Sequence, residues 1–244
     1  MKPYLSVIIP AYNETKRLPL TLIDIDKHLK NSDFAYEIIV VDNNSTDATA
    51  EVVKRFSHLI KNLRLIESPK GKGIAVKYGM LEAKGEIRLF TDADNSTSID
   101  QFNKMIPYFT EGYDVVIGSR DIPGAKLVPA QPWYKRLGGN LGNLVIQFLL
   151  LPGMWDTQCG FKAFTESAAE KIFRVIKISR WGFDVEVLSL AKKFGYKTKG
   201  IPVVWVNDPF SGVKLTTYFQ FLMEVFKIKW WMMNFDKNYK MKSQ

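Results

Sequence analysis

The chain of 244 residues reads as an α/β fold with a mainly parallel central sheet flanked by helices. Three observations predict it. Short runs rich in Val and Ile alternate with helical stretches through the first half, the spacing of strands joined by helical crossovers. The runs are nearly continuous in hydrophobicity, as in strands covered on both faces. Polar clusters fall where the runs end, and sheets of this kind bind ligands beyond the carboxyl ends of their strands.

The first strand, Leu5–Ile9, exits into Pro10-Ala11-Tyr12-Asn13-Glu14, and a helix follows at Leu18–Leu29. The second, Glu37–Val41, ends in Asp42-Asn43-Asn44-Ser45-Thr46-Asp47 before a helix at Ala48–Phe56. A third strand, Leu63–Glu67, leads through Lys70-Gly71-Lys72-Gly73 into a helix at Ile74–Ala83. The fourth, Ile87–Thr91, should be central and runs straight into Asp92-Ala93-Asp94. Ser98 with Gln101 then reads as a capping box opening a helix over Ile99–Phe109. A fifth strand, Asp114–Gly118, precedes Ser119-Arg120.

The character changes after Arg120. Gly124 to Trp133 is a loop with Pro129 and Pro132, and a helix is expected from Tyr134 to Leu151, ended by Pro152-Gly153. A polar turn at Asp156–Gly160, helices at Glu166–Phe173 and Asp184–Phe194, and a strand at Thr198–Val206 complete the pattern. The expected division is one domain over 1–216 and an aromatic, methionine- and lysine-rich segment over 217–244.

Composition narrows the function. Hydrophobic residues at 46% and charged residues at 24% exclude disorder and fibrous repeats. Cys159 is the single cysteine, so neither an internal disulfide nor a multi-cysteine zinc site is available. The net charge of +9 favours anionic partners. The N-terminus lacks the apolar run of a signal peptide. The longest apolar run, Leu144 to Trp155, is broken by Gln147 and Pro152-Gly153 and falls short of the ~20 residues a membrane span needs.

Each polar cluster has a bland reading beside a chemical one. Glu14 can accept hydrogen bonds from sugar hydroxyls, or simply begin a helix. Capping by Ser45 or Thr46 explains those residues but gives no reason for Asp42 at a strand tip. Gly71 and Gly73 allow close backbone approach, while Lys70, Lys72 and a helix N-terminus attract phosphate. A plain basic turn competes, because neither the P-loop nor the G-x-G-x-x-G pattern is present. Asp92 and Asp94 are the most informative. Residues i and i+2 of an extended chain project to the same side. Two such carboxylates repel and raise one pKa unless a cation intervenes. A hard divalent ion bridging carboxylate and diphosphate oxygens removes that conflict.

The ordered set Pro10–Glu14, Asp42, Lys70–Gly73, Asp92–Asp94 and Gly118-Ser119-Arg120 resembles family 2 glycosyltransferases of the GT-A fold. Asp156-Thr157-Gln158-Cys159-Gly160-Phe161-Lys162 and Arg180-Trp181-Gly182-Phe183-Asp184-Val185-Glu186 resemble the polyprenyl-phosphate branch, dolichyl-phosphate glucosyltransferases first and mannose synthases as near relatives. The resemblance runs from about Leu5 to Trp205. It implies that Pro10, Ala11, Tyr12 and Glu14 border the ribose and base of a UDP- or GDP-hexose donor. Asp42 would bond the base, and Gly71 and Lys72 would lie beside the nucleotide. Asp92 and Asp94 would hold Mg2+ or Mn2+ against the diphosphate. Arg120, Lys135 and Arg136 would face the phosphate of a polyprenyl acceptor, with Asn143 farther along that helix. Asp156, Gln158, Asp184 and Glu186 would line the sugar pocket. Asp94, Arg120, Arg136 and Asp184 are the candidate catalytic residues. The chain departs from the family pattern at Asn43, where many relatives carry aspartate. It departs again at Asn95-Ser96-Thr97, which favours a glucose-type donor over mannose.

A lipid acceptor implies a membrane surface, and the expected location is peripheral, on the cytoplasmic face. Phe219, Leu222, Met223, Phe226, Trp230 and Met233 follow helical spacing, with Trp231 and Phe235 adjacent. Lys227, Lys229, Lys237, Lys240 and Lys242 stand against one acid, Asp236. Such a helix suits a bilayer interface; packing on the domain, or on a second copy in a homodimer, is the competing reading. A sugar-phosphate nucleotidyltransferase would show a glycine-rich loop where Ala11–Glu14 stands. A basic nucleic-acid-binding module would leave the paired carboxylates unexplained, so no nucleic-acid partner is expected. A hydroxyl acceptor remains the alternative within glycosyltransferases, with Asp184 as its base.

Overall fold

The computed structural model describes residues 2–129, 142–207 and 215–235, with side chains from 219 onward in the last segment. The strands are β1 (Leu5–Ala11), β2 (Tyr36–Asp42), β3 (Leu63–Glu67), β4 (Ile87–Thr91), β5 (Val115–Ser119), β6 (Lys126–Val128), β7 (Phe161–Thr165), β8 (Thr198–Pro202) and β9 (Val204–Val206). The helices are α1 (Leu18–Leu29), α2 (Thr49–Ser57), α3 (Lys72–Glu82), α4 (Ile106–Thr110), α5 (142–149), α6 (Glu166–Val175), α7 (Phe183–Lys193) and α8 (Leu215–Met233).

Seven strands form the main sheet in the order β3-β2-β1-β4-β7-β5-β8. All neighbours pair in parallel except β7, which is antiparallel to both β4 and β5. Chain order reverses between β1 and β4, which makes the crevice at their carboxyl ends the expected ligand position. Every residue of β1 is buried. Ile8 faces one hydrophobic cluster, while Leu5, Val7 and Ile9 face the other. The unbroken apolar run thus records a sheet with a core on each side, where each buried Val or Ile contributes about 1.5–3 kcal/mol. Gly79 brings α3 directly onto β1, since a Cβ there would overlap Ile8. That contact fixes where the N-terminus of α3 sits over the sheet.

The structure corrects several expectations. β7 falls between an expected turn and an expected helix, and Lys162 at its centre hid it, because lysine is rarely buried without a partner. The predicted capping box does not form. Ser98 Oγ donates to Asp24 at 2.8 Å, and Gln101 bonds the backbone of Val204. The segment is a 3-10 helix over Ile99–Lys104, and Pro107 starts α4 separately. The expected strand over Thr198–Val206 splits at Val203. β8 joins the main sheet, while β9 pairs with β6 in a second, two-stranded sheet. Of the helix expected over Tyr134–Leu151, residues 142–149 are helical; Lys135 and Arg136 lie outside the described residues.

The expected boundary at 216/217 falls inside α8. Phe221, Val225, Ile228, Trp231 and Phe235 are buried in the same cluster as α7, so one face of the helix belongs to the domain core. Phe219, Met223, Phe226, Trp230 and Met233 form the opposite, exposed stripe. Among the described residues no helix is long and apolar enough to cross a membrane.

Candidate active site

The loops after β1, β2 and β4 meet at the chain reversal. Each turns through an asparagine with positive φ: Asn13 at 57°, Asn44 at 60° and Asn95 at 54°. Asparagine tolerates this left-handed conformation better than most residues. Asn13 Oδ1 accepts from Thr46 N at 2.8 Å and Asn13 N donates to Ser45 Oγ at 3.0 Å, stitching the first two loops together. Ser45 and Thr46 are therefore loop ties rather than helix caps. Thr49 N instead donates to Asp47 at the start of α2.

Pro10 and Ala11 are buried in β1, and register places Ala11 beside Asp42. Asp42 is also buried and accepts from Ser45 N at 3.3 Å. Tyr12 is exposed at the mouth, with Lys70 Nζ donating to its hydroxyl at 3.0 Å. Glu14 is held by Arg17 Nε at 2.7 Å. Burial raises the Glu14 carboxyl above its ordinary value, Arg17 opposes the rise, and Asp94 and Asp92 add to it. Glu14 thus shares the field of the acid pair.

Asn43 has a clear structural task. Its Oδ1 accepts from Gly71 N at 2.7 Å, which anchors the loop before α3. Gly71 has φ 139°, and a Cβ there would stand 2.5 Å from the Ser179 carbonyl. Gly73 N donates to that same carbonyl at 2.9 Å. The glycines are therefore used to pack the loop against residues 178–183. The Lys72 ammonium reaches Asp92 at 2.6 Å and lies over the Trp181 ring at 4.9 Å.

Asp92 and Asp94 are half-buried at the tip of β4. Burial and then the Asp92 charge raise the Asp94 carboxyl, while Ser96 N donates to it at 3.0 Å. Gly160 makes room for the pair, since a Cβ there would overlap the Asp92 carboxylate. Behind Asp92, Lys162 Nζ is fully buried and donates to Asp184 Oδ1 at 2.5 Å and to the Cys159 carbonyl at 2.6 Å. Burial raises the Asp184 carboxyl, with Lys162 and Lys72 working against the rise. Lys162, Gly160 and Trp181 are site residues to which sequence reasoning gave no task.

The remaining predicted residues separate. Asp156 is buried, and its carboxylate accepts from Arg120 N, Nε and Nη2, each at 2.8 Å. Burial alone would raise the Asp156 carboxyl, but Arg120 holds it below the ordinary carboxylate value. The Arg120 guanidinium also stacks on Trp205 at 4.8 Å. Gln158 is exposed on the same turn, and Asn143 is partly exposed on α5. Glu186 does not line an open pocket. It is fully buried and accepts from Lys177 N at 2.8 Å and Ile178 N at 2.7 Å. Desolvation pushes its carboxyl up to about 7. Asp184 and Glu186, two apart on α7, point about 200° apart around the helix axis, so both cannot serve one pocket.

Among the described residues no three His, Cys, Asp or Glu side chains gather into a metal cage. A paired carboxylate at a sheet's ligand edge, beside a lysine on a helix N-terminus, suits an ion shared with a diphosphate.

A family model described as Glycosyl transferase family 2 matches residues 6–173. This chain belongs to that family. It is 37% identical to a dolichyl-phosphate beta-glucosyltransferase of Dictyostelium discoideum, over 93% of this chain and 77% of that protein. It is 31% identical to the Homo sapiens protein of the same name, over 89% of this chain and 71% of that one. Among solved structures, glucosyl-3-phosphoglycerate synthase from Mycobacterium tuberculosis, in complex with Mn2+, UDP and glucosyl-3-phosphoglycerate, superposes with TM-score 0.66. That match has 17% identity and covers 93% of this chain and 80% of that one. The sheet order and the superposition establish a GT-A glycosyltransferase fold, as the sequence resemblance implied.

Proposed function

We propose that this glycosyltransferase moves glucose from UDP-glucose to a dolichyl or other polyprenyl phosphate, with inversion at the anomeric carbon. The observation that carries the reading is the acid pair Asp92/Asp94 set opposite the Asp156-locked guanidinium of Arg120 at one sheet edge. The names of the relatives supply the sugar and the lipid class. Pro10, Ala11, Tyr12, Glu14 and Asp42 receive the nucleoside, and Gly71 and Lys72 the diphosphate.

Asp94, with Asp92, would hold Mg2+ or Mn2+. The bound ion would act as a Lewis acid, neutralising charge that accumulates on the departing diphosphate. Arg120 has Nε and Nη2 committed to Asp156, which leaves its Nη1 edge for the acceptor phosphate. A guanidinium fixed on both a carboxylate and an indole offers phosphate a preset orientation. Lys135 and Arg136 supply the further cations. A phosphate monoester has a second pKa of about 6 and is largely dianionic at neutral pH. The nucleophile therefore needs no strong base. Lys162 holds Asp184 in place rather than leaving it poised to take a proton.

The acceptor's prenyl chain brings the protein to a bilayer surface, as a peripheral contact. The exposed stripe of α8 and Phe148 on α5, 90% exposed, supply apolar surface for it. Lys229 Nζ donates to the Leu149 carbonyl at 2.8 Å, tying the two helices together.

The test is transfer from a panel of UDP- and GDP-hexoses to a short prenyl phosphate, with Mg2+ or Mn2+. Turnover with UDP-glucose is expected. Turnover confined to GDP-mannose would reassign the donor, and transfer only to hydroxyl acceptors would overturn the acceptor assignment.

A further inference from the structure

The carboxylates at the tip of β4 already have a cation, and it belongs to the chain. Lys72 stands at the first position of α3, its ammonium 2.6 Å from Asp92 Oδ1, and each of the two side chains keeps only 21% of its surface in solvent. Its backbone is not free to drift. Gly71 is bonded to Asn43 and Gly73 to the Ser179 carbonyl, while the Trp181 ring lies against the ammonium. The flexible stem beyond that fixed backbone can still swing. An ammonium at hydrogen-bond distance takes up one of the few lone-pair directions of Asp92 that an incoming ion would otherwise use. Two cations on one carboxylate also repel each other, so ion and ammonium compete for Asp92.

We infer that Lys72 is a stand-in for the divalent ion: it neutralises Asp92 in the donor-free protein and gives it up when a nucleotide diphosphate offers its ammonium new oxygens. The inference rests on the reading of Asp92 and Asp94 as ion ligands. It makes ion and donor bind as a linked pair, because the diphosphate draws away the competitor that keeps the ion out. Linkage is reciprocal, so the ion raises affinity for the diphosphate by the same factor. An empty donor site is thereby kept from holding a bare ion, and the acid pair from standing uncompensated in a half-buried crevice.

The experiment measures Mn2+ affinity of the full chain by electron paramagnetic resonance of free Mn2+, without and with UDP, and needs no turnover. In the wild type UDP should tighten Mn2+ binding by roughly tenfold or more, within the usual range of coupling between sites. Lys72→Met should bind Mn2+ alone roughly tenfold more tightly than the wild type, with the UDP effect reduced by a similar factor. Lys72→Gln repeats the measurement with a polar side chain, should the methionine variant fold poorly. Lys70→Met removes a charge from the same loop that bonds Tyr12 rather than an acid, and should leave the affinity for Mn2+ alone within about twofold. Equal or weaker binding of Mn2+ alone by the Lys72 variants, with UDP coupling intact, would overturn the stand-in role while leaving the ion site standing. An equal gain in Lys70→Met would also overturn it, by reducing the effect to general charge. Failure of every variant to bind Mn2+ even with UDP would overturn the ion site and the inference together.

Discussion

Replacing Asp156 tests the clamp on Arg120, the guanidinium that the proposed function sets against the acceptor phosphate. Its buried carboxylate takes three hydrogen bonds from Arg120 and one from Gln158 N at 3.3 Å. Asp156→Ala leaves a guanidinium whose side chain is only 23% exposed without its counter-charge. Breaking a buried pair from one side costs about 3–5 kcal/mol. The remaining contact with water and Trp205 places Arg120 at the lower end, about 3 kcal/mol. Asp156→Asn keeps one acceptor oxygen and should lose about 2 kcal/mol. For a chain of this size, 3 kcal/mol lowers the melting temperature by about 6–12 °C. Urea unfolding of Asp156→Ala, Arg120→Met and the double variant gives the coupling directly, expected to exceed about 1 kcal/mol. The pH dependence has a definite sign. The folded pKa of Asp156 lies below the ordinary aspartate value of 3.8, so its contribution is present above that value and lost as pH falls through the folded one. The acid limb of the stability curve should therefore be steeper in the wild type than in Asp156→Ala. A loss under about 0.5 kcal/mol, with additive single effects, would mean that the clamp does not hold Arg120.

Glu186 shifts the opposite way. Its carboxyl rises from 4.5 to about 7, so its contribution is complete below the lower value and lost as pH climbs through the upper. Wild-type stability should fall by about 3 kcal/mol across that interval, and Glu186→Gln should flatten the curve while lowering it, since one backbone amide loses its acceptor. Urea midpoints near about pH 5 and pH 8 check this, and an unchanged slope in the variant would assign the titration elsewhere. Gly160→Ala pushes the Asp92 carboxylate aside without touching the core. Transfer should drop about 100-fold with little change in melting temperature, and near-normal turnover would show that Asp92 tolerates displacement. Asp94→Ala should abolish transfer in Mg2+ or Mn2+, and wild-type turnover would refute its role in holding the ion. On α8, the double change Phe226→Glu and Trp230→Glu alters only the exposed stripe. It should release the protein from anionic liposomes in flotation while leaving the fold intact, whereas unchanged flotation with a loss of dimer would make the stripe a contact between copies.

The first five strands were legible because each is an apolar run closed by a polar cluster, and Asp42, Asp92 and Asp94 stand out at their tips. β7 was not, because Lys162 interrupts Phe161–Phe164 with the one side chain least expected at zero exposure. Only the fold reveals its partners: Asp184 comes from twenty-two positions downstream. The tasks of Asn43, Gly71 and Gly73 were hidden for a similar reason. Gly73 N donates to the carbonyl of Ser179, far along the chain, and Asn43 accepts from Gly71 N of a different loop. Glu186 was given the sugar pocket with Asp184 by the resemblance of the Arg180–Glu186 segment, but a two-residue step on α7 turns the two side chains apart and sends Glu186 toward the amides of 177–178. The C-terminal helix carried two apolar faces, and the aromatic spacing alone did not say which one the domain keeps.

The reversed direction of β7 explains how residues from both halves converge. In a parallel strand, the residues that follow it reach the sheet's ligand edge. β7 instead starts there, with Phe161 opposite Thr91 and Lys162 opposite Ile117. The turn before it, Asp156 to Gly160, is therefore delivered to the edge where β4 releases Asp92 and β5 releases Arg120. One end of that turn locks Arg120 through Asp156; the other accommodates Asp92 at Gly160, whose carbonyl accepts from Asp92 N at 3.2 Å. The Asp92 carboxylate and the Arg120 guanidinium, which the proposed function gives to donor and acceptor, are thus spaced by a single short turn whose two ends are both hydrogen-bonded. Their separation is set by local chain geometry rather than by the packing of distant layers, as a transfer between two anions held side by side requires.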